Sequence, residues 1–348
     1  MSNKQIDVSV VVPVHNAEEW LEECLQSVLD QDFTGTMELS AYNDASTDGS
    51  QEILDAFSDR LNERDILCTL SGGMGKPGGV GYAKNNAVKQ SHGEYLCFLD
   101  ADDVMMKSRV SEQYEVCQHK EDVIVGCQFH RYPPDSTPRY THWANNLTQE
   151  QLHKQVYTSF GPTVVMPTWF CHRKVYDKVG GFDETGKGTP EDLIFFYGHL
   201  RAGGQVLRVD RDLLLYRYHA AAATFSITED TLWRLRLGEL ERHMLGGWSQ
   251  FSIWNGGKQG RKLYRSLSEE SRKKVQAFCD VDVKKLAKGV YIYEESPLIP
   301  KPRVPIVRFN EAKPPFVMCV KLGMTKGEFE SNLASLNLTE GEDYVHFS

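Results

Sequence analysis

Apolar residues in this chain fall into short blocks whose period switches between two and about three and a half. The first block, 8–14 (VSVVVPV), is rich in β-branched residues and stops at Asn16, so it predicts a strand. Ala17, Trp20, Leu21, Cys24, Leu25, Val28 and Leu29 then recur at helical spacing. Asn16 and Glu19 stand where a capping-box-like pair would start that helix. A second strand is predicted over 37–42. The cap-rich turn 43–50 (NDASTDGS) follows, opening a helix to about Leu61. Next come a strand at 66–70, a glycine-rich loop at 71–79, a helix at 80–90 and a strand at 95–99. That last run, YLCFL, ends abruptly in Asp100, Asp102 and Asp103. Such βαβαβαβ alternation implies a mostly parallel sheet covered by helices.

The pattern loosens after Asp103. Helices are predicted near 108–119, 174–179, 190–202 and 228–245, and strands at 123–129, 166–173, 205–209 and 213–218. A loop is expected at 133–138 and a turn at 180–184. From Gly246 the alternation restarts: strands at 250–254, 275–280, 304–307 and 316–322, with helices at 261–267 and 328–336. The expected architecture is therefore α/β with two domains. A large one, residues 1–245, has a mixed, mostly parallel sheet. A small Rossmann-like accessory domain covers residues 246–348.

Charge and composition narrow the classes. Residues 246–348 carry 16 Lys and Arg against 12 Asp and Glu, net +4, whereas the remainder is net −13. An acidic first part suits a cation-dependent site, and a basic second part hints at a polyanionic partner. No apolar run approaches the ~20 residues of a membrane span. The start has no signal-peptide layout. The eight cysteines are scattered with no Cys-x-x-Cys pair, so reduced thiols, no disulfide-linked partner and a cytoplasmic location are expected.

The chemistry concentrates at strand ends. Three carboxylates within four residues repel one another unless a cation neutralises them. Asp-x-Asp at a frayed strand end can converge on one hard divalent ion, which can hold a diphosphate leaving group. Four segments end or follow strands of the first domain: Pro13-Val14-His15-Asn16, the turn 43–50, Ala83-Lys84-Asn85, and Leu99 to Asp103. In an open α/β sheet those ends line the ligand crevice. In this order, over about residues 7–245, they resemble family-two glycosyltransferases of the GT-A fold.

The resemblance implies a UDP-sugar donor and Mn²⁺ or Mg²⁺. It implies that Asp44 accepts the uracil N3–H and that Pro13 and His15 pack near the base. Lys84 would meet phosphate or ribose, Asp100 would touch the ribose or metal, and Trp169 would line the sugar pocket. Asp102 and His219 would ligate the metal. Asp192, with Glu191 beside it at a helix start, would be the base that deprotonates the acceptor hydroxyl in an inverting transfer.

In the second domain, Asn255-Gly256-Gly257-Lys258-Gln259-Gly260 resembles a dinucleotide loop with its first glycine replaced. A degenerate accessory fold is the expectation. Lys258, Arg261, Lys262, Arg265, Arg272, Lys273 and Lys274 cluster around its first helices and could hold RNA phosphates. Segments 253–261, 278–282 and 314–322 extend the likeness to tRNA-modifying galactosyltransferases. That likeness implies galactose transfer to queuosine in tRNA. Two alternatives stand beside it: an N-acetylglucosaminyltransferase acting on a glycan or protein, and a non-catalytic RNA- or nucleotide-binding protein.

Overall fold

The computed structural model describes residues 5–73, 75–220 and 222–348. The chain divides into two compact units, Met1–His153 with Pro162–Thr228, and Lys154–Gly161 with Glu229–Ser348.

The first unit is built on an eight-stranded sheet. Its strands are β1 (Val8–Val14), β2 (Met37–Asp44), β3 (Leu67–Gly73), β4 (Tyr95–Phe98), β5 (Val104–Met105), β6 (Val123–Tyr132), β7 (Phe170–His172) and β8 (Gln205–Arg217). Their spatial order is β3-β2-β1-β4-β7-β6-β8-β5. β1 to β4 pair in parallel with one another, with Val11 opposite Phe98. β7 runs antiparallel between β4 and β6, and β6 and β8 are again parallel. Helix crossovers cover both faces of the parallel part, so β2 and β4 are buried throughout, and β4 reads as an unbroken apolar run. Strand order reverses between β1 and β4, and at such a switch point the carboxyl ends of the strands open a crevice.

Several local expectations change. The capping box at Asn16 does not form: the helix Leu21–Leu29 starts behind Trp20 with no side-chain cap. Instead the loops after β1 and β2 stitch together. Asn16 Oδ1 accepts from Thr47 N (2.8 Å), Ser46 Oγ from Asn16 N (2.9 Å), Asp48 from Glu18 N (3.0 Å) and Glu18 from Gly49 N (3.0 Å). β8 is one strand where two were predicted, because irregularities in its register with β6 bend the ladder without breaking it. The segment expected as a loop at 133–138 leads into a helix, Pro138–Asn146, with proline in its first turn.

The second unit has a six-stranded sheet: β9 (Phe251–Trp254), β10 (Val275–Asp280), β11 (Val290–Ile292), β12 (Arg303–Arg308), β13 (Phe316–Met318) and β14 (Tyr344–His346). The order is β11-β12-β10-β9-β13-β14, parallel except for the β11 edge. This is a doubly wound arrangement. Trp254, Cys279, Phe316, Met318 and Phe329 form a core cluster in it. Sequence reading ended the first domain at 245, but helix Glu229–Leu240 groups with the second unit. Long-range contacts decide this: Arg236 donates to Tyr157 O (2.8 Å) and lies over the Phe347 ring, against which Trp233 packs edge-on.

Candidate active site

β4 carries four buried residues and ends at the crevice floor, delivering Asp100, Asp102 and Asp103. Their carboxylate oxygens lie within 4.8 Å of one another. Asp103 is fully buried. One of its oxygens accepts Arg217 N–H at 2.9 Å, and the other has no partner. Burial, reinforced by Asp102 and Asp100, pushes the Asp103 carboxyl well above its usual range. Burial also raises Asp100 to about 6, against the pull of Lys84. His219, just beyond β8, places Nε2 2.7 Å from Asp102 Oδ2. Beneath them lies Arg109, wholly buried, which donates to Phe98 O at 2.8 Å. Three converging hard-oxygen donors, an orphaned buried carboxylate oxygen and an adjacent imidazole suit a divalent ion such as Mn²⁺ or Mg²⁺.

The helix Val80–Gln90 forms one wall. A Cβ on Gly81 would meet Asp183 O at 2.1 Å, so glycine lets this helix approach the 182–184 turn. Asn85 fixes that turn, donating to Phe182 O and accepting from Phe182 N. Lys84, also buried, thereby reaches across 107 positions of sequence to Glu191 Oε1 (2.9 Å) and lies 3.8 Å from Asp100. The Lys84 ammonium, expected at a phosphate or ribose, is thus engaged by two carboxylates of the protein. It is an internal cation joining the aspartate floor to the start of helix Glu191–Arg201. Asp192 follows Glu191. Burial, Glu191 and Asp100 raise its carboxyl to about 7, against Lys84 and the Leu193 N–H. Asp192 thus belongs to the same electrostatic neighbourhood as Asp100.

At the far side of the switch point, Asp44 accepts Gly78 N–H (2.9 Å) and Gly79 N–H (2.8 Å), one on each carboxylate oxygen. This tethers the glycine-rich segment beside β2. Each oxygen keeps a lone pair for a further donor. His15 Nδ1 lies 2.6 Å from Asp44 O, its ring exposed, and Pro13 is half-buried one residue before the end of β1.

A second wall went unread in the sequence. Arg131 in β6 is buried, with its guanidinium 3.9 Å from the Tyr216 ring centroid and 5.4 Å from that of Tyr140. The Asp192 charge reaches Tyr140, whose hydroxyl is pushed up to about 12 chiefly by burial. No local motif marks Arg131, because Tyr140 and Tyr216 come from two other elements.

Two expectations need correction. Trp169 does not line the crevice. It is wholly buried, donates its indole N–H to Val164 O (2.8 Å) and packs against Phe195 and Phe196. The basic cluster of the second unit is largely engaged at home. Arg261 donates to Gly256 O, Arg272 to Leu267 O, and Lys274 to Leu245 O. Lys262 pairs with Asp230 and Lys273 with Glu269, leaving Lys258 and Arg265 exposed. In the glycine loop, Asp280 accepts Gly256 N–H and the Lys285 ammonium, so its carboxylate is already satisfied.

The Glycosyl transferase family 2 profile matches residues 9–180, which contain β1 to β4 and the three aspartates. TuaG of Bacillus subtilis (strain 168), a glycosyltransferase assigned to teichuronic acid biosynthesis, is 30% identical over 219 residues, covering 62% of this chain and 81% of TuaG. The chain belongs to glycosyl transferase family 2. Within that family, EpsJ of the same organism, an uncharacterized glycosyltransferase, is 24% identical over 222 residues. The chain spans 62% of the length of EpsJ and 38% of that of GlyG from Streptococcus pneumoniae. Among solved structures, Staphylococcus aureus TarS 1-349 in complex with UDP-GlcNAc is 18% identical, with a TM-score of 0.53 over 76% of this chain and 71% of that one. This likeness supports the GT-A fold for the family 2 unit. Among the described residues, no helix is long and apolar enough to cross a membrane.

Proposed function

We propose that this family 2 enzyme is a cytoplasmic, inverting, metal-dependent UDP-sugar transferase that moves galactose from UDP-galactose to queuosine at the anticodon wobble position of tRNA. The observation that carries the transferase reading is the continuous carboxylate network from Asp102 through Asp100 and Lys84 to Glu191 and Asp192. That continuity supports a diphosphate site and a general base sharing one crevice.

Asp44 and His15 hold the uracil end of the donor, with Pro13 beside them. Asp100, Asp102, Asp103 and His219 would hold the divalent ion, which when bound supplies positive charge for the diphosphate leaving group. Asp192, poised near neutrality, takes the proton of the acceptor hydroxyl as its oxygen attacks the anomeric carbon. The new glycosidic C–O bond forms on the face opposite the breaking bond to UDP, so the configuration inverts. Lys84 holds Glu191 in place and keeps part of the Asp192 population ionised. The galactose and queuosine assignments rest on the likeness of residues 253–261, 278–282 and 314–322 to tRNA-modifying galactosyltransferases.

The test is to incubate the protein with UDP-galactose, Mn²⁺ and queuosine-containing tRNA and analyse the nucleosides by mass spectrometry. Queuosine should gain one hexose. A second reading, N-acetylglucosamine transfer to a glycan, is favoured by the UDP-GlcNAc complex of the structurally similar TarS. Turnover of UDP-GlcNAc with no hexose on queuosine would establish that reading in place of the first.

A further inference from the structure

Large apolar side chains left in water call for an explanation when they cluster beside a site. In the first unit the exposed large hydrophobics among the described residues are Leu67, Tyr132, Tyr218 and Phe225. Leu67 opens β3 at the amino end of the sheet, away from the crevice. Tyr132 ends β6, Tyr218 follows β8 and directly precedes His219, and Phe225 meets Tyr218 from the 223–226 turn. Tyr218 N–H extends the ladder to Tyr132 O at 2.9 Å. Tyr218 and Phe225 are 37% and 56% exposed and meet edge to face, with centroids 5.6 Å apart and planes at 62°. The two rings make an open corner.

The corner is backed by charge. Arg131 lies buried 5.6 Å from the Tyr218 centroid, and the same guanidinium covers Tyr140, the ring that feels the Asp192 charge. A cation behind an aromatic ring draws electron density away from the exposed face. Such a face disfavours the partly positive C–H edges of a sugar and favours an electron-rich flat ring. Base–aromatic stacking also tolerates any base, because each has a π-face.

We infer that Tyr218 and Phe225 form a stacking corner for an unpaired nucleobase of the acceptor RNA, beside the position where its hydroxyl meets Asp192. The inference rests on the proposed action on tRNA and adds the element that would hold the nucleotide. Its acceptor must be single-stranded at that point, since a base inside a duplex has no free face.

The test compares binding of a single-stranded oligoribonucleotide and its duplex to the full chain by fluorescence anisotropy at fixed salt. The wild type should prefer the single strand. The Tyr218→Ala/Phe225→Ala double variant should lose roughly 5- to 150-fold in single-strand affinity per stacked base, while Tyr218→Phe and Phe225→Trp retain it. Leu67→Ala, an exposed apolar truncation elsewhere, should leave affinity unchanged. Both truncated side chains are solvent-exposed, and a melting curve checks that the double variant is folded. Equal affinities of wild type and folded double variant, or equal loss for the ring-retaining variants, would overturn the inference. So would displacement of the oligonucleotide by free galactosides through Tyr218 and Phe225. If single-strand binding depends on the corner but tRNA gains no hexose, the queuosine reading fails and the stacking corner stands. If tRNA gains hexose with the double variant as readily as with wild type, the corner fails and the function stands.

Discussion

Asp192→Asn separates the base from its surroundings. Asparagine keeps the side-chain size and can still accept the Leu193 N–H bond of 2.7 Å, but it carries no charge. In the native protein, burial and Glu191 raise the Asp192 carboxyl from 3.8 to about 7. The sign follows. Below about pH 4 the group is protonated in both folded and unfolded chains, and there is no difference. Between 4 and 7 the unfolded chain releases a proton that the folded one keeps, so folding stability declines as pH rises. Above 7 the folded chain carries the full cost of the buried charge. A displacement of about three pKa units is worth about 4 kcal/mol, and partial exposure of the residue reduces that to about 2 kcal/mol. Asparagine removes this cost. Urea denaturation of wild type and variant at pH 4 and pH 8 should show no difference at the lower pH and a variant more stable by about 2 kcal/mol at the higher, or about 4–8 °C in Tm. Transfer should meanwhile fall about 10²- to 10⁴-fold. The acid limb of wild-type kcat/KM near pH 7 should vanish from the residual activity. A stability difference that is the same at both pH values would refute the reasoning, because the charge of Asp192 would then not be the cause.

Four further outcomes follow from the site. Lys84→Met leaves Glu191 and Asp100 without their buried cation and should destabilise the protein by about 3–5 kcal/mol, read from the urea midpoint. Asp44→Ala removes the acceptors of Gly78 and Gly79 N–H; amide exchange over 75–79 should accelerate and the KM for the UDP-sugar rise about tenfold or more, at a cost of about 1–3 kcal/mol for the two unmade bonds. Chelation should abolish transfer and Mn²⁺ restore it. In Asp102→Ala, electron paramagnetic resonance should show weakened Mn²⁺ binding.

The sequence alone determined the parallel half of the first sheet. A central parallel strand is covered on both faces, so its side chains are apolar without interruption and 95–98 reads as a buried strand from its composition. The helix predicted over 80–90 has those bounds in the structure because glycines precede it and its apolar spacing is regular. The abrupt end of β4 in carboxylates likewise marked the crevice floor. Helix Pro138–Asn146 was not legible, since its short stripe of Tyr140, Trp143 and Ala144 sits among polar residues directly behind the proline-rich segment 133–138. Tertiary structure alone decided that Lys84 belongs to Glu191, that Trp169 is core, and that five of the seven basic residues clustered between 258 and 274 already have partners. It also decided that helix Glu229–Leu240 joins the second unit and that Arg131 gathers rings from helix Pro138–Asn146 and from β8. The physical reason is the range of the interaction. Periodicity within a dozen residues reports which face of an element is apolar, whereas the state of a charge or an indole depends on partners brought from a hundred residues away.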